Sequence, residues 1–483
     1  EGTKMGNEQH CHHLTRVVIV LALVCLLLGL VTVLTVTPAQ GRTADVPAEG
    51  FPEVWVDDDF DTGTTGWGVT RTATIQHGID LVTATGIVHV AGGTYDENVV
   101  ITKSVTLLGD AMDKPIVDGG DSSDAVHVQG ATDVSIAGFE IRSAHRFVVD
   151  TAGIRIDGAR CVTVTHNMMP RGGGIGLMSS LDCAVTDNTL GETGDIFLSD
   201  TWNTTVARNT LGNVEGQMWL MDGSGNNRIL SNTLAIADPQ SAPCTGIRIW
   251  RSSNNLVVSN TLRHFRVPVL LAYANDGIIA GNRIYGNRQF DEAFKGAGIM
   301  LHQGSRHQIL NNDIEGVADV GIALSGGTMS NTVRANTIAD TRRGLELVYG
   351  SDKNVFRNND LVNVHTGIIV EDAADNQIYE NNIWASETLA HDGGTNTQWD
   401  DGTTGNYWND YDGSGPYPIP PSGIDQHPQT SPLSISVAAV PALQPANPDL
   451  GKPPALIVTD TQIWEGVTRT LTQPVEIASG GQL

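Results

Sequence analysis

Asn203-Thr204-Thr205-Val206-Ala207-Arg208-Asn209-Thr210-Leu211 is followed by Asn226-Asn227-Arg228-Ile229-Leu230-Ser231-Asn232-Thr233-Leu234, and then by Asn254-Asn255-Leu256-Val257-Val258-Ser259-Asn260-Thr261-Leu262. The three stretches are one pattern repeated. An Asn stands at a fixed place, with an aliphatic residue three positions before it and another two positions after. Self-similarity at a period of 20–50 residues is the mark of a stacked repeat architecture.

The pattern extends both ways. Asn anchors stand at Asn167, Asn188, Asn209, Asn232, Asn260, Asn282, Asn312, Asn336, Asn359 and Asn381, spaced by 21 to 30 residues. Three residues before them lie Val164, Val185, Val206, Ile229, Val257, Ile279, Ile309, Val333, Phe356 and Ile378. A further strand follows each anchor, read as Gly-apolar-x-apolar in Gly153-Ile154-Arg155-Ile156, Gly246-Ile247-Arg248-Ile249, Gly298-Ile299-Met300-Leu301 and Gly367-Ile368-Ile369-Val370. Alternation at period two describes a half-buried strand. Strands this short cannot bury a face alone, so each coil must stack on the next, with strands paired in parallel about 4.8 Å apart. The expectation is an all-β chain: a right-handed parallel β-helix of about 22-residue coils, about ten to thirteen of them. The anchors are its structural ladder. An Asn amide can bond turn backbone and stack on the Asn of the next coil, and Asn tolerates the left-handed conformation that a corner demands.

Open solenoid ends are exposed sheet edges and need caps. Ala73 to Asp80 reads as a short amphipathic helix that caps the N-terminal end. Gly86-Ile87-Val88-His89-Val90, Gly93-Thr94-Tyr95-Asp96-Glu97 and Val105-Thr106-Leu107-Leu108-Gly109 follow as entry coils. This entry resembles that of the pectin-lyase-like superfamily. Gly93-x-Tyr95-x-Glu97 also resembles one motif of the pectin methylesterases, without that family's catalytic Gln, paired Asp and Arg-x-Trp motifs. At the other end, Gly405-Asn406-Tyr407-Trp408-Asn409-Asp410-Tyr411, Pro416-Tyr417-Pro418-Ile419-Pro420 and Asp425-Gln426-His427-Pro428 follow the Asn-anchored coils. That succession resembles the NosD-type β-helix family over roughly residues 53 to 434. The resemblance implies this architecture and, as one functional reading, periplasmic assembly of a copper site. No His, Met or Cys cluster with copper-ligand spacing appears in the coils.

The organisation expected is a segment 1–44, a β-helix over 45–434, an Ala/Pro-rich linker over 435–454, and the start of a second β-rich module over 455–483 that is cut short. Within the β-helix, the N-terminal cap spans 53–110, regular coils 125–385 and the C-terminal cap 386–434. Met5 reads as the initiator. The unbroken apolar run from Val17 to Val36 fits both a cleaved signal and a retained membrane anchor, and either places the rest outside the cytoplasm. The compartment expected is secreted, periplasmic or cell-surface, with membrane contact only through an uncleaved N-terminal segment. His10-Cys11-His12-His13 precedes that run and is read as carrying no metal site. Cys161 and Cys183 lie one coil apart but one position out of register, so no disulfide is expected between them.

Function is less legible. Lys and Arg number 28 against 54 Asp and Glu, a formal charge of −26. Such a surface repels nucleic acid, and it disfavours polyanionic substrates. The outward row through the Gly-apolar-x-apolar strands is rich in rings. Phe197, Trp219, Arg248, Trp250, Tyr273, His302 and Glu346 fall on this one face. Exposed apolar stripes mark binding surfaces or covered ones. Two coils carry insertions, Asp238 to Pro243 and Gln289 to Lys295, and both enter this face from the same edge. Asp291, Glu292 and Lys295 on the second would join the rings in a groove suited to a sugar. The leading expectation is a binding or adhesion solenoid whose partner is a polysaccharide or cell-surface component. A polysaccharide lyase or related enzyme is the alternative, although no lyase, hydrolase or epimerase motif is recognisable. Asp57, Asp58, Asp59 and Asp61 are candidate ligands for Ca²⁺, the one cofactor the residue pattern suggests.

Overall fold

A computed structural model describes residues 50–120, 123–142, 152–191, 194–212, 217–236, 245–286 and 296–441. Segment 1–44, both insertions, most of the expected linker and the expected second module lie outside the described residues. The described chain is a right-handed parallel β-helix. Each regular coil contributes three strands, for example Thr205–Ala207, Thr210–Gly212 and Met218–Met221. The first kind stacks into a sheet of 15 strands, and the other two kinds interleave in one of 25. Pairing is parallel and in register, as in Val206↔Ile229↔Val257↔Ile279↔Ile309. One antiparallel pair, Tyr417–Ile419 with Gly423–Asp425, lies in the C-terminal cap.

The aliphatic residues on either side of each anchor fill a continuous core. Val206, Ile229, Leu234, Val257, Ile279 and Ile284 have no exposed surface. The ladder is unbroken. Asn209 donates from Nδ2 to the Val185 carbonyl at 2.8 Å and to Asn232 Oδ1 at 3.0 Å, while its own backbone N–H donates to the same Asn232 Oδ1 at 2.9 Å. This unit recurs through Asn381 and ends at Asn406, whose N–H donates to the buried carboxyl of Asp425 at 2.7 Å. Trp408 Nε1 donates to that same carboxyl, which closes the ladder on the cap.

The backbone corrects one expectation. The anchors are not the left-handed residues. The residue before each is: His166, Asp187, Arg208, Ser231, Ser259, Gly281, Asn311, Ala335, Asn358 and Glu380 all have φ between 53° and 60°. The chain reverses one position early, which turns the Asn amide inward, where it can reach the next coil. A second ladder lies five residues before the anchors, at Asn227, Asn255, His307, Asn331, Asn354 and Asn376, and it is buried in the same way. His307 belongs to it as a neutral ring. Its Nδ1 accepts from the Gly277 N–H at 2.9 Å and its Nε2 donates to the Ala274 carbonyl at 2.8 Å. Burial lowers its pKa.

The N-terminal helix spans Ile75–Leu81, with Thr74 as its N-cap. Glu97 of the Gly93-x-Tyr95-x-Glu97 motif bonds the helix start through the N–H groups of Ile75 (2.8 Å) and Gln76 (3.0 Å). A carboxylate satisfies orphan donors there, so the motif serves the cap. At the far end, Leu433 to Ala438 run back along the flank. Amide side chains pair with that backbone at Asn382–Leu433 (2.8 and 2.9 Å), Asn358–Ser436 (2.9 Å) and Asn311–Ala438 (2.7 and 2.8 Å). Ile435 and Ala438 cover Ala280, Leu310 and Ala335.

Candidate functional site

The outward row is continuous through Phe197↔Trp219↔Arg248↔Leu270↔Met300↔Ala323↔Glu346. Trp250, Ala272 and His302 form the row beside it. Parallel register at one coil per step brings Trp219, Arg248, Trp250, Tyr273 and His302 into contact. The Arg248 guanidinium carbon lies 5.3 Å from the Trp219 ring centroid and 4.8 Å from that of Trp250. Trp250 meets Tyr273 edge-on at 4.7 Å, and Tyr273 meets His302 at 5.8 Å. A planar guanidinium holding two indoles is a stable, cation–π arrangement. Tyr273 sits at a left-handed corner (φ 55°) and is 41% exposed, so it projects from the face.

Neighbouring residues brace the rings. Gln217 Oε1 accepts from Trp219 Nε1 at 2.8 Å and from Thr245 Oγ1 at 3.0 Å, and Ser325 Oγ lies 3.2 Å from His302 Nδ1. Gln217 was invisible to a search for rings and charges, although its place two residues before Trp219 puts it on the same face. Phe197, one coil before Trp219 in the same row, is 6% exposed and so is packed in rather than open to a ligand. Glu346 does not join the cluster. It lies four coils from Arg248, about 19 Å at strand spacing, and it pairs with Arg343, which also binds Asp319. Asp291, Glu292 and Lys295 lie outside the described residues.

Asp57, Asp58 and Asp59 present carboxylate oxygens within 4.8 Å of one another. Asp61 is not part of that group. Among the described residues no other group of three His, Cys, Asp or Glu gathers so closely. Asp57 accepts from the Asp59 N–H at 3.1 Å, and Asp58 accepts from the Thr94 N–H at 3.2 Å. An all-oxygen set of this kind suits a hard cation such as Ca²⁺. Cys161 and Cys183 are both free thiols.

The family described as "Periplasmic copper-binding protein (NosD)" matches residues 98–292, 214–364 and 246–413. No curated protein matches the sequence. Among solved structures, the Dettilon tailspike protein is similar at 15% identity and TM-score 0.44, over 65% of this chain and 63% of that one. The A-module of a mannuronan C-5 epimerase from Azotobacter vinelandii has 15% identity and TM-score 0.44, over 67% and 94%. Tailspike protein 3 of bacteriophage CBA120 has 10% identity and TM-score 0.49, over 68% and 57%.

Proposed function

The chain belongs to the NosD family, and from that premise we propose that this member is an exported solenoid that binds a polysaccharide through the face carrying Trp219, Arg248, Trp250, Tyr273 and His302. One observation carries the reading: a guanidinium clamped between two indoles and continued by two more rings on one partly exposed face. Indole and phenol rings offer flat apolar surface to the C–H faces of sugars, while polar edges bond hydroxyls. Arg248 fixes the spacing of the rings, so little side-chain entropy is lost when a ligand arrives. The formal charge of −26 favours a neutral glycan over an acidic one.

Copper, named in the family's description, calls for thiolate, thioether or imidazole donors at close quarters. The close-set group found among the described residues is the all-carboxylate Asp57–Asp59, which does not fit copper. Among the described residues no helix is long and apolar enough to cross a membrane.

The test is retention of the full chain on an immobilised polysaccharide panel. Trp219→Ala and Trp250→Ala should each weaken retention about tenfold or more, equivalent to about 1.4 kcal/mol, with the circular dichroism spectrum unchanged. Retention that is indifferent to both substitutions would sink the reading.

A further inference from the structure

A polar cluster stands three to four coils toward the N-terminus from Trp219, with His127 and Arg155 on the same outward row and Asp157 on the row beside it. The row continues upward as Val100↔His127↔Arg155↔Gly176↔Phe197. His127 Nε2 lies 2.9 Å from Asp157 Oδ2, and Arg155 Nε donates to that same oxygen at 2.6 Å. Asp124 stands three residues before His127, and its Oδ1 accepts the Ala152 N–H at 2.6 Å. Arg155, His127 and Asp157 all act electrostatically on Asp124, so the four groups share one environment. Gly176, itself buried, separates Arg155 from Phe197 in the row, and His127, Arg155 and Asp157 are the partly exposed groups at this end of the face.

We infer that Asp124, His127, Arg155 and Asp157 form an acid–base site that hydrolyses the neutral polysaccharide held by the aromatic face. The inference rests on the glycan-binding reading. The aromatic platform is about 19 Å away along the axis at strand spacing, so a chain lying along the solenoid reaches both. Hydrolysis needs an acid and a base with room between them for a water and a sugar ring. Asp124 and His127 are separated by at most about 10 Å of extended backbone.

Their surroundings assign the roles. Burial raises the Asp124 carboxyl above its ordinary value and favours the proton-bearing form. Its second oxygen is the one that can donate, because Oδ1 is tied to Ala152. His127 is oriented through Nε2 by Asp157, in the manner of a carboxylate that holds an imidazole in place. Asp157 is in turn held by Arg155, and its Oδ1 is buried with no hydrogen-bond partner among the described residues. Water attacks the anomeric carbon and gives its proton to His127. The bond from that carbon to the glycosidic oxygen breaks, and the departing oxygen takes the Asp124 proton. His127 and Asp124 then return to their starting forms by proton exchange with solvent. Asp124 and His127 are catalytic residues here, whereas Arg155 and Asp157 are positioning residues.

The experiment incubates the full chain with neutral glucans, mannans, xylans and galactans, and reads retention and new reducing ends separately. New ends are expected on the retained glycan. Asp124→Asn, which preserves the Ala152 bond, should cut their formation by about a hundredfold or more while retention stands. Arg155→Ala should lower kcat with KM and the circular dichroism spectrum unchanged, a split that a purely structural role would not produce. Retention without new ends, or ends formed equally by Asp124→Asn, would overturn the acid–base site and leave the binding reading intact. No retention and no ends would remove both. Ends without retention, lost in Asp124→Asn, would support the catalytic site alone.

Discussion

Asn282→Ala isolates what one rung of the ladder contributes. Asn282 has no exposed surface. Its Nδ2 donates to the Val257 carbonyl at 2.8 Å and to Asn312 Oδ1 at 2.9 Å. Its Oδ1 accepts from the Asn260 N–H at 2.9 Å and from Asn260 Nδ2 at 3.0 Å. Truncation removes four hydrogen bonds without admitting water. Asn260 Nδ2 keeps the Ile229 carbonyl, and Asn312 Oδ1 keeps the Asn282 N–H, so these groups stay satisfied. The Asn260 N–H is stranded, and the Val257 carbonyl loses a donor. One buried orphan costs about 1–3 kcal/mol and each of the three remaining bonds about 1 kcal/mol net, which gives a loss of about 4–6 kcal/mol. In a solenoid the loss falls on the interface between neighbouring coils. Urea unfolding should therefore shift to lower midpoint and broaden as the two sides of the break uncouple. Hydrogen exchange should accelerate first at the Asn260 amide. A midpoint shift worth less than about 1 kcal/mol, with exchange at Asn260 unchanged, would refute the argument that the ladder stabilises the stack.

The flank segment should behave as a strap: Asn358→Ala removes the bonds to Ser434 and Ser436, so proteolysis within Leu433–Ala438 should quicken while the coils stay resistant, and an unchanged rate would contradict the docking. Burial pushes the Cys183 thiol up to about 12, whereas Cys161 is partly exposed. Iodoacetamide at mildly alkaline pH, read by peptide mass, should therefore modify Cys161 at least about tenfold faster than Cys183, and equal rates would contradict that burial. The Arg306 guanidinium bonds Asp276 across one coil at 2.6 and 2.7 Å and holds its carboxyl below the ordinary value. A carboxyl depressed in the folded state contributes stability above its unfolded pKa, about 3.9, and loses it as pH falls through the folded value. Asp276→Asn should accordingly flatten the acid limb of a stability–pH curve below about pH 4, and a limb as steep as in the parent would show that this pair contributes nothing there.

How much of this could be read from the chain differs by level. The coil repeat, the strand positions and all ten ladder Asn were legible, because burial and parallel pairing impose the same local requirement on every turn. The second ladder went unread, although Asn227, Asn255, Asn331, Asn354 and Asn376 recur five residues before the anchors. His307 was not legible at all, since a lone imidazole among amides shows its role only through its two backbone bonds. The left-handed corners were misplaced by one residue. Their occupants, from His166 to Glu380, share no side-chain type, so only the backbone identifies them.

The outward face divides in the same way. Period-two alternation determined that Trp219, Arg248 and His302 point outward, and in-register stacking followed from the repeat. Local sequence could not decide which outward residues meet. Trp250 touches Tyr273 across a corner, Glu346 turns to Arg343 rather than to the rings, and His127 and Asp157 meet from coils 30 residues apart. Those partnerships depend on side-chain geometry between coils. A repeat determines which residues share a face, and the packed tertiary structure decides which of them come within reach of one another.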